Sequence, residues 1–220
     1  MSTTSRAIAS TGRVEALSDG VFAVAITLLV LELKVTEQDA EGGLWHALGR
    51  LWPSYLAYAV SFAMIGIMWV NHHAIFSRLA LVDRSLMYAN LALLAVVSFV
   101  PFPTAIVADF IRDDRNARAA AMFYGGVGVA LGLAFTLMWG HISHHDDLLK
   151  PGLTNQGARR QYRQSAMGMC SYFIGIAVAS VSPIAALAVY GALGLFFAIT
   201  SAHEPLDLTL GVSDQAPTAA

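Results

Sequence analysis

From Ala166 to Thr200 the chain runs for 35 residues without a single Asp, Glu, Lys or Arg. As one helix that stretch would be about 50 Å long, well beyond the ~30 Å hydrocarbon core of a bilayer. Ser182-Pro183 sits in its middle. Proline stops helices and pushes the residue before it out of the helical region. The stretch therefore reads as two antiparallel spans, about 163–182 and 184–202, joined by a tight turn. Composition agrees: 56% of the 220 residues are hydrophobic and 13% charged, against about 45–50% and 25% in soluble domains. Too little polar surface is left to coat a soluble particle.

Four more apolar runs, about 15–34, 54–76, 86–108 and 119–141, bring the expectation to an all-α, polytopic membrane protein with six transmembrane helices per subunit. Pro53 suits a helix start. Residues 1–12 read as a short cytoplasmic segment, 13–203 as one six-helix unit and 204–220 as a flexible cytoplasmic tail. The run after Asp19 is a poor signal peptide, because acids precede it and no small-residue cleavage site follows. The net charge of −2 offers nothing to nucleic acid. No Ser/His/Asp grouping, phosphate loop or Cys/His zinc pattern points to an enzyme, a cofactor or a resident metal.

Cationic residues set the orientation. With the N-terminus inside, Arg6, Arg13, Arg78, Arg84, Lys150, Arg159, Arg160 and Arg163 face the cytoplasm, against Lys34, Arg50, Arg112, Arg115 and Arg118 outside. Eight against five favours cytoplasmic N- and C-termini, and the plasma membrane as location.

The first helix is unusual. Its uninterrupted apolar run, Gly20–Leu31, covers only about 18 Å, so Ser18, Asp19 and Glu32 come to the membrane boundary or below it. A carboxylate there costs on the order of 3 kcal/mol unless it faces protein or water, so Asp19 needs a partner. Trp69, His72 and His73 share one face of the second helix at i, i+3 and i+4, and Asn90 lies at matching depth on the third. A network of Arg13, Ser18, Asp19, Trp69, His72 and Asn90 is expected, architectural first, with pH sensing through His72 as a further role.

Gly20, Val24, Thr27, Leu28 and Leu31 follow a helical rhythm on the first helix; taken alone, that is a packing stripe. His141 and His145, at i and i+4, could chelate zinc but read more simply as a polar helix boundary. Gly125, Gly128 and Gly132, with Gly191 and Gly194, read as sites of close helix approach. Cys170, the single cysteine, reads as a buried, inert thiol.

The segment from Arg13 through Leu17-Ser18-Asp19-Gly20 to Glu32 resembles the first-helix signature, Arg-x-x-x-Phe-Ser-Asp, of bacterial relatives of the lysosomal potassium channel, transmembrane protein 175. Trp69-Val70-Asn71-His72-His73-Ala74-Ile75-Phe76 and Ser98-Phe99-Val100-Pro101-Phe102-Pro103-Thr104 are similar to two further stretches of that family. Leu17 stands where the signature has Phe, so an aromatic wedge is missing.

The resemblance implies six helices per subunit, cytoplasmic termini and a homotetramer in which the first helix lines a central pore in the lipid bilayer. It also implies bulky aliphatic constrictions, which fall here on Val24, Leu28 and Leu31, with a hydroxyl ring from Thr27 between them. Such a channel passes potassium ions with modest preference and lacks the carbonyl filter of ordinary potassium channels. The competing expectation is a proton-coupled or other secondary transporter using Asp19 and His72.

Overall fold

The computed structural model describes residues 10–35, 42–113, 115–153 and 155–202. The expected terminal segments fall outside them, apart from Ser10–Gly12 at the N-terminal end. Eight α-helices are found among the described residues: α1 (Thr11–Leu28), α2 (Leu44–Arg50), α3 (Trp52–Phe76), α4 (Arg84–Phe99), α5 (Pro101–Phe110), α6 (Ala117–Ile142), α7 (Asn155–Ala179) and α8 (Pro183–Ala202). A 3₁₀ turn, Leu29–Glu32, continues α1. The short α2 was not anticipated from the sequence. By length and composition, four segments among the described residues are able to cross a membrane: Thr11–Glu32, Trp52–Phe76, Arg84–Phe110 and Ala117–Ile142. Of the other two long helices, α7 begins eight residues before the expected start and carries Arg159, Arg160 and Arg163 in its first half, while α8 is apolar throughout its stretch Pro183–Phe196.

The expected third span, 86–108, is interrupted. Pro101 and Pro103 have no N–H to give to the carbonyls of Val97 and Phe99, so the α-helical ladder cannot run through. Val100 instead bonds Val97 in a tighter turn (3.1 Å), and α5 starts with the two prolines in its first turn.

A buried hydroxyl relay sits beside this break. Thr104 gives its proton to the Val100 carbonyl (2.8 Å), so the Ser61 hydroxyl must donate to Thr104 (2.7 Å) and the Tyr124 hydroxyl to Ser61 (2.9 Å). Three polar groups on α3, α5 and α6 thereby satisfy one another where water cannot reach.

The tightest packing is between α6 and α7. A Cβ on Gly128 would collide with the Tyr172 ring, one on Gly125 with the Tyr190 hydroxyl, and one on Gly132 would lie 2.9 Å from the Met169 Cα. These glycines permit the approach the sequence suggested. Gly191 and Gly194 meet only ordinary contacts, with Val60 at 3.6 Å and Ile67 at 3.5 Å. Cys170 corrects the expectation of a buried thiol: it is exposed, one position off the Met169 and Tyr172 face that packs on α6, so an apolar run need not bury every member.

Two loops meet at one end of the bundle. An antiparallel bridge pairs Leu79 with Leu149, and Ala80 N–H donates to the Leu148 carbonyl at 2.8 Å.

Candidate functional site

Helix α1 has two dissimilar faces. Val14, Ser18, Phe22 and Ala25 are buried, with Leu29 continuing the same line. That face packs on α3 and α4. The opposite stripe stands free in the isolated subunit: Val24 is 57% exposed, Leu28 39% and Leu31 59%. Leu17 and Gly20 precede them, and Leu17, Gly20, Val24 and Leu28, with Val21 and Ser98, line a shallow hollow between α1 and α4. Thr27 is exposed on the same side, and its hydroxyl donates to the Val24 carbonyl at 2.9 Å. With the proton committed to the helix backbone, the oxygen lone pairs point away from it.

The buried face is pinned by a directed hydrogen-bonded chain. Ser18 donates to the Val14 carbonyl at 2.8 Å, so its oxygen accepts from Asn90 Nδ2 at 3.0 Å. That leaves Asn90 Oδ1 to accept from His72 Nε2–H at 2.9 Å. His72 is fully enclosed, stacked on Phe76 with ring centroids 4.4 Å apart and tilted against Phe22 at 5.4 Å. Its Nδ1 has no hydrogen-bond partner among the described residues.

Asp19 does not enter this chain. It accepts from the Trp69 indole N–H at 2.8 Å. One turn earlier on α1, Glu15 meets His73 Nδ1 at 2.9 Å. Arg13 is exposed and lies outside these contacts, because α1 presents Val14, not Arg13, to its neighbours. The structure thus brings Ser18, His72 and Asn90 into one chain, sets Asp19 and Trp69 beside it as a pair, and leaves Arg13 out.

Sequence reasoning missed Glu15. The signal was available: α1 and α3 are antiparallel, so a contact between Asp19 and Trp69 demands one between the residues four back on α1 and four forward on α3, which are Glu15 and His73.

This constellation sits within a chain of recognisable ancestry. A family model described as "Endosomal/lysosomal potassium channel TMEM175" matches residues 13–101, the part that holds α1, the Trp69–His73 face and Asn90. A protein of Streptomyces collinus named as a potassium channel is 49% identical over 194 residues, covering 88% of this chain and 94% of the relative. The chain belongs to the TMEM175 family. A Chamaesiphon minutus potassium channel is 42% identical over 193 residues, 87% of this chain and 95% of that one. The crystal structure of a lysosomal potassium-selective channel TMEM175 homolog from the same species superposes with a TM-score of 0.78, over 87% of this chain and 97% of its own. TMEM175 membership fits a membrane protein of several apolar helices, and these relatives are named as potassium channels.

The histidines after α6 form a separate cluster. Asp83 caps α4, its Oδ1 accepting from the Leu86 N–H at 2.8 Å, and its Oδ2 takes a bond from His141 Nε2, also 2.8 Å away. Burial pushes the Asp83 carboxyl up, but the Leu86 N–H and His141 outweigh it and hold the group below its ordinary value. The His145 ring lies tilted against that of His141 with centroids 4.2 Å apart. Among the described residues no three His, Cys, Asp or Glu side chains converge as metal ligands would.

Proposed function

We propose that four copies of the chain assemble around α1 as a potassium-permeable channel of the plasma membrane, each subunit crossing six times with both termini cytoplasmic. The observation that carries this reading is the division of α1 between a face locked to α3 and α4 and a bare stripe of Val24, Thr27, Leu28 and Leu31. The potassium channels among its relatives are matched over nearly their full length, which supports the same ion for this chain.

The mechanism follows from solvation. Rings of Val24, Leu28 and Leu31 offer a cation no substitute for its water shell, so permeation needs partial dehydration or a transiently wetted pore. Potassium is less tightly hydrated than sodium and loses less on passing, which gives a modest preference. A Thr27 ring adds oxygen lone pairs between apolar layers. A carrier built on Asp19 and His72 finds less support, because both side chains are engaged in contacts that hold helices together.

The test is flux through purified protein in liposomes, driven by a potassium gradient and then by an equal sodium gradient, with empty liposomes as control. Passive potassium flux faster than sodium flux, with no coupled ion, is expected. Absence of potassium flux, or flux that needs a proton gradient, would overturn the channel in favour of the carrier.

A further inference from the structure

A second cavity, of about 390 Å³, opens between α3, α6, α7 and α8, and its lining among the described residues takes nothing from α1. Its volume falls in the range of small-molecule sites. Its lining is graded along its length. On α3 it is met in turn by Met64, Met68, Asn71 and Ala74, with Arg78 just past the helix end, a course of about 20 Å at 1.5 Å per residue. On α7, which runs the opposite way, the lining passes from Gln161, Gln164 and Ser165 to Gly168 and Tyr172. The polar ends of both helices thus lie at one end of the cavity together with Trp139, while Met64, Met68 and Tyr172 line the other, where the Tyr172 hydroxyl meets the Met64 sulfur at 3.7 Å.

Among the described residues Arg78 is the only charged side chain in the lining, with no carboxylate beside it. It has no acidic partner among the described residues; its guanidinium carbon lies 5.9 Å from the centroid of the Trp139 ring, which also lines the cavity. Stacking on Trp139 holds the cation in place while leaving its donors to the cavity. The cavity is half open, and Met167 at its edge is 70% exposed. A slot that is apolar for most of its length, cationic at one end and open to the outside of the subunit matches an amphiphile with a negative head.

We propose that this cavity holds one anionic phospholipid of the surrounding membrane, its phosphate against Arg78 and the α7 amides and an acyl chain along Met64, Met68 and Tyr172. The head group's charge is met by Arg78 at the boundary where lipid phosphates lie, and basic pockets between helices are the sites such lipids take. The chain replaces the water that an apolar slot would otherwise hold poorly. The site does not depend on the channel reading, since it uses neither α1 nor the pore stripe.

The experiment is native mass spectrometry of the full-length protein in detergent, titrated with phosphatidylglycerol or phosphatidylcholine, alongside its melting temperature. Phosphatidylglycerol is expected to occupy the subunit at a concentration at least fivefold lower than phosphatidylcholine. Arg78→Gln should abolish that difference and Arg78→Lys should keep it. Arg84→Gln, which removes a cation of the same bundle end outside the cavity, should leave it intact. Ala74→Phe should reduce binding of both lipids, and Leu193→Phe, which fills the same slot from α8, serves if the first variant folds poorly. Persistence of the preference in Arg78→Gln, an equal loss in Arg84→Gln, or unaltered lipid binding in both cavity-filling variants would overturn the proposal. Displacement of the lipid by an equal concentration of glycerol phosphate would also overturn it, by assigning the cavity to a free phosphate ligand.

Discussion

Trp69 and Asp19 are joined by a single indole-to-carboxylate hydrogen bond of 2.8 Å across 50 residues of sequence, and this is how Asp19, one turn beyond Glu15 on the α3-facing side of α1, is satisfied. A half-exposed charge needs less help than a buried one, so the neutral indole N–H suffices. Trp69→Phe keeps the ring and removes the donor. It should lower the stability of detergent-solubilised protein by about 1–2 kcal/mol, read as a fall in melting temperature. Asp19→Asn keeps an acceptor and should cost less; the reverse order would mean that the carboxylate's charge is used elsewhere.

The chain from His72 through Asn90 to Ser18 is closed, with each donor aimed at one acceptor. Asn90→Ala leaves a buried His72 N–H without a partner and should cost about 1–3 kcal/mol. His72→Phe should be far milder in the Asn90→Ala background than in the parent, because the orphaned donor goes with it. Additive losses in a double-mutant cycle would show that the two side chains contribute separately.

Asp83 links the start of α4 to the end of α6, and its carboxyl titrates below its ordinary value. A depressed carboxyl contributes stability that is present above its unfolded value of 3.8 and is lost as pH falls through the lower folded value. The melting temperature should therefore drop as pH is taken from about 5 to below 4, and Asp83→Asn, which retains a capping oxygen, should flatten that drop. An unchanged pH profile in Asp83→Asn would assign the acid sensitivity to other carboxylates.

The bare stripe on α1 predicts what truncation does to flux. Val24→Ala and Leu28→Ala should each raise potassium flux through liposomes and reduce its excess over sodium, because a wider ring demands less dehydration. Val24 is 57% and Leu28 39% exposed in the subunit, well outside the packed core, so melting temperature should move by less than about 1 kcal/mol equivalent. Unchanged flux in both would move the constriction away from this face.

Much of this arrangement is legible from one sequence because charge and proline are scarce here. Asp19 inside an apolar run demanded a partner, and the i, i+3, i+4 spacing of Trp69, His72 and His73 supplied a face to hold it. Asn90 could be set at the right depth by counting turns. Arg13 was drawn into the network because its charge suggested a mate for Asp19, yet a one-residue offset turns it 100° from Val14 and out to solvent. The Ser61–Thr104–Tyr124 relay was invisible, since three hydroxyls on three helices share no spacing and meet only once the proline break has set the direction of α5. Cys170 shows the same limit: hydropathy says that a helix lies among apolar neighbours but not which of its faces meets protein.

The change of winding at Leu29 has a consequence for the mouth of α1. An α-helix advances 100° per residue and a 3₁₀-helix 120°, with residues three apart eclipsed. Leu31, three residues into the tighter segment that follows Leu28, is thus turned about 60° from where a continued α-helix would aim it, and comes to stand above Leu28 along the axis, about 6 Å farther on. Leu28 and Leu31 of each subunit then form one straight file instead of a spiral, so that in the proposed channel their two rings would lie in register along the axis.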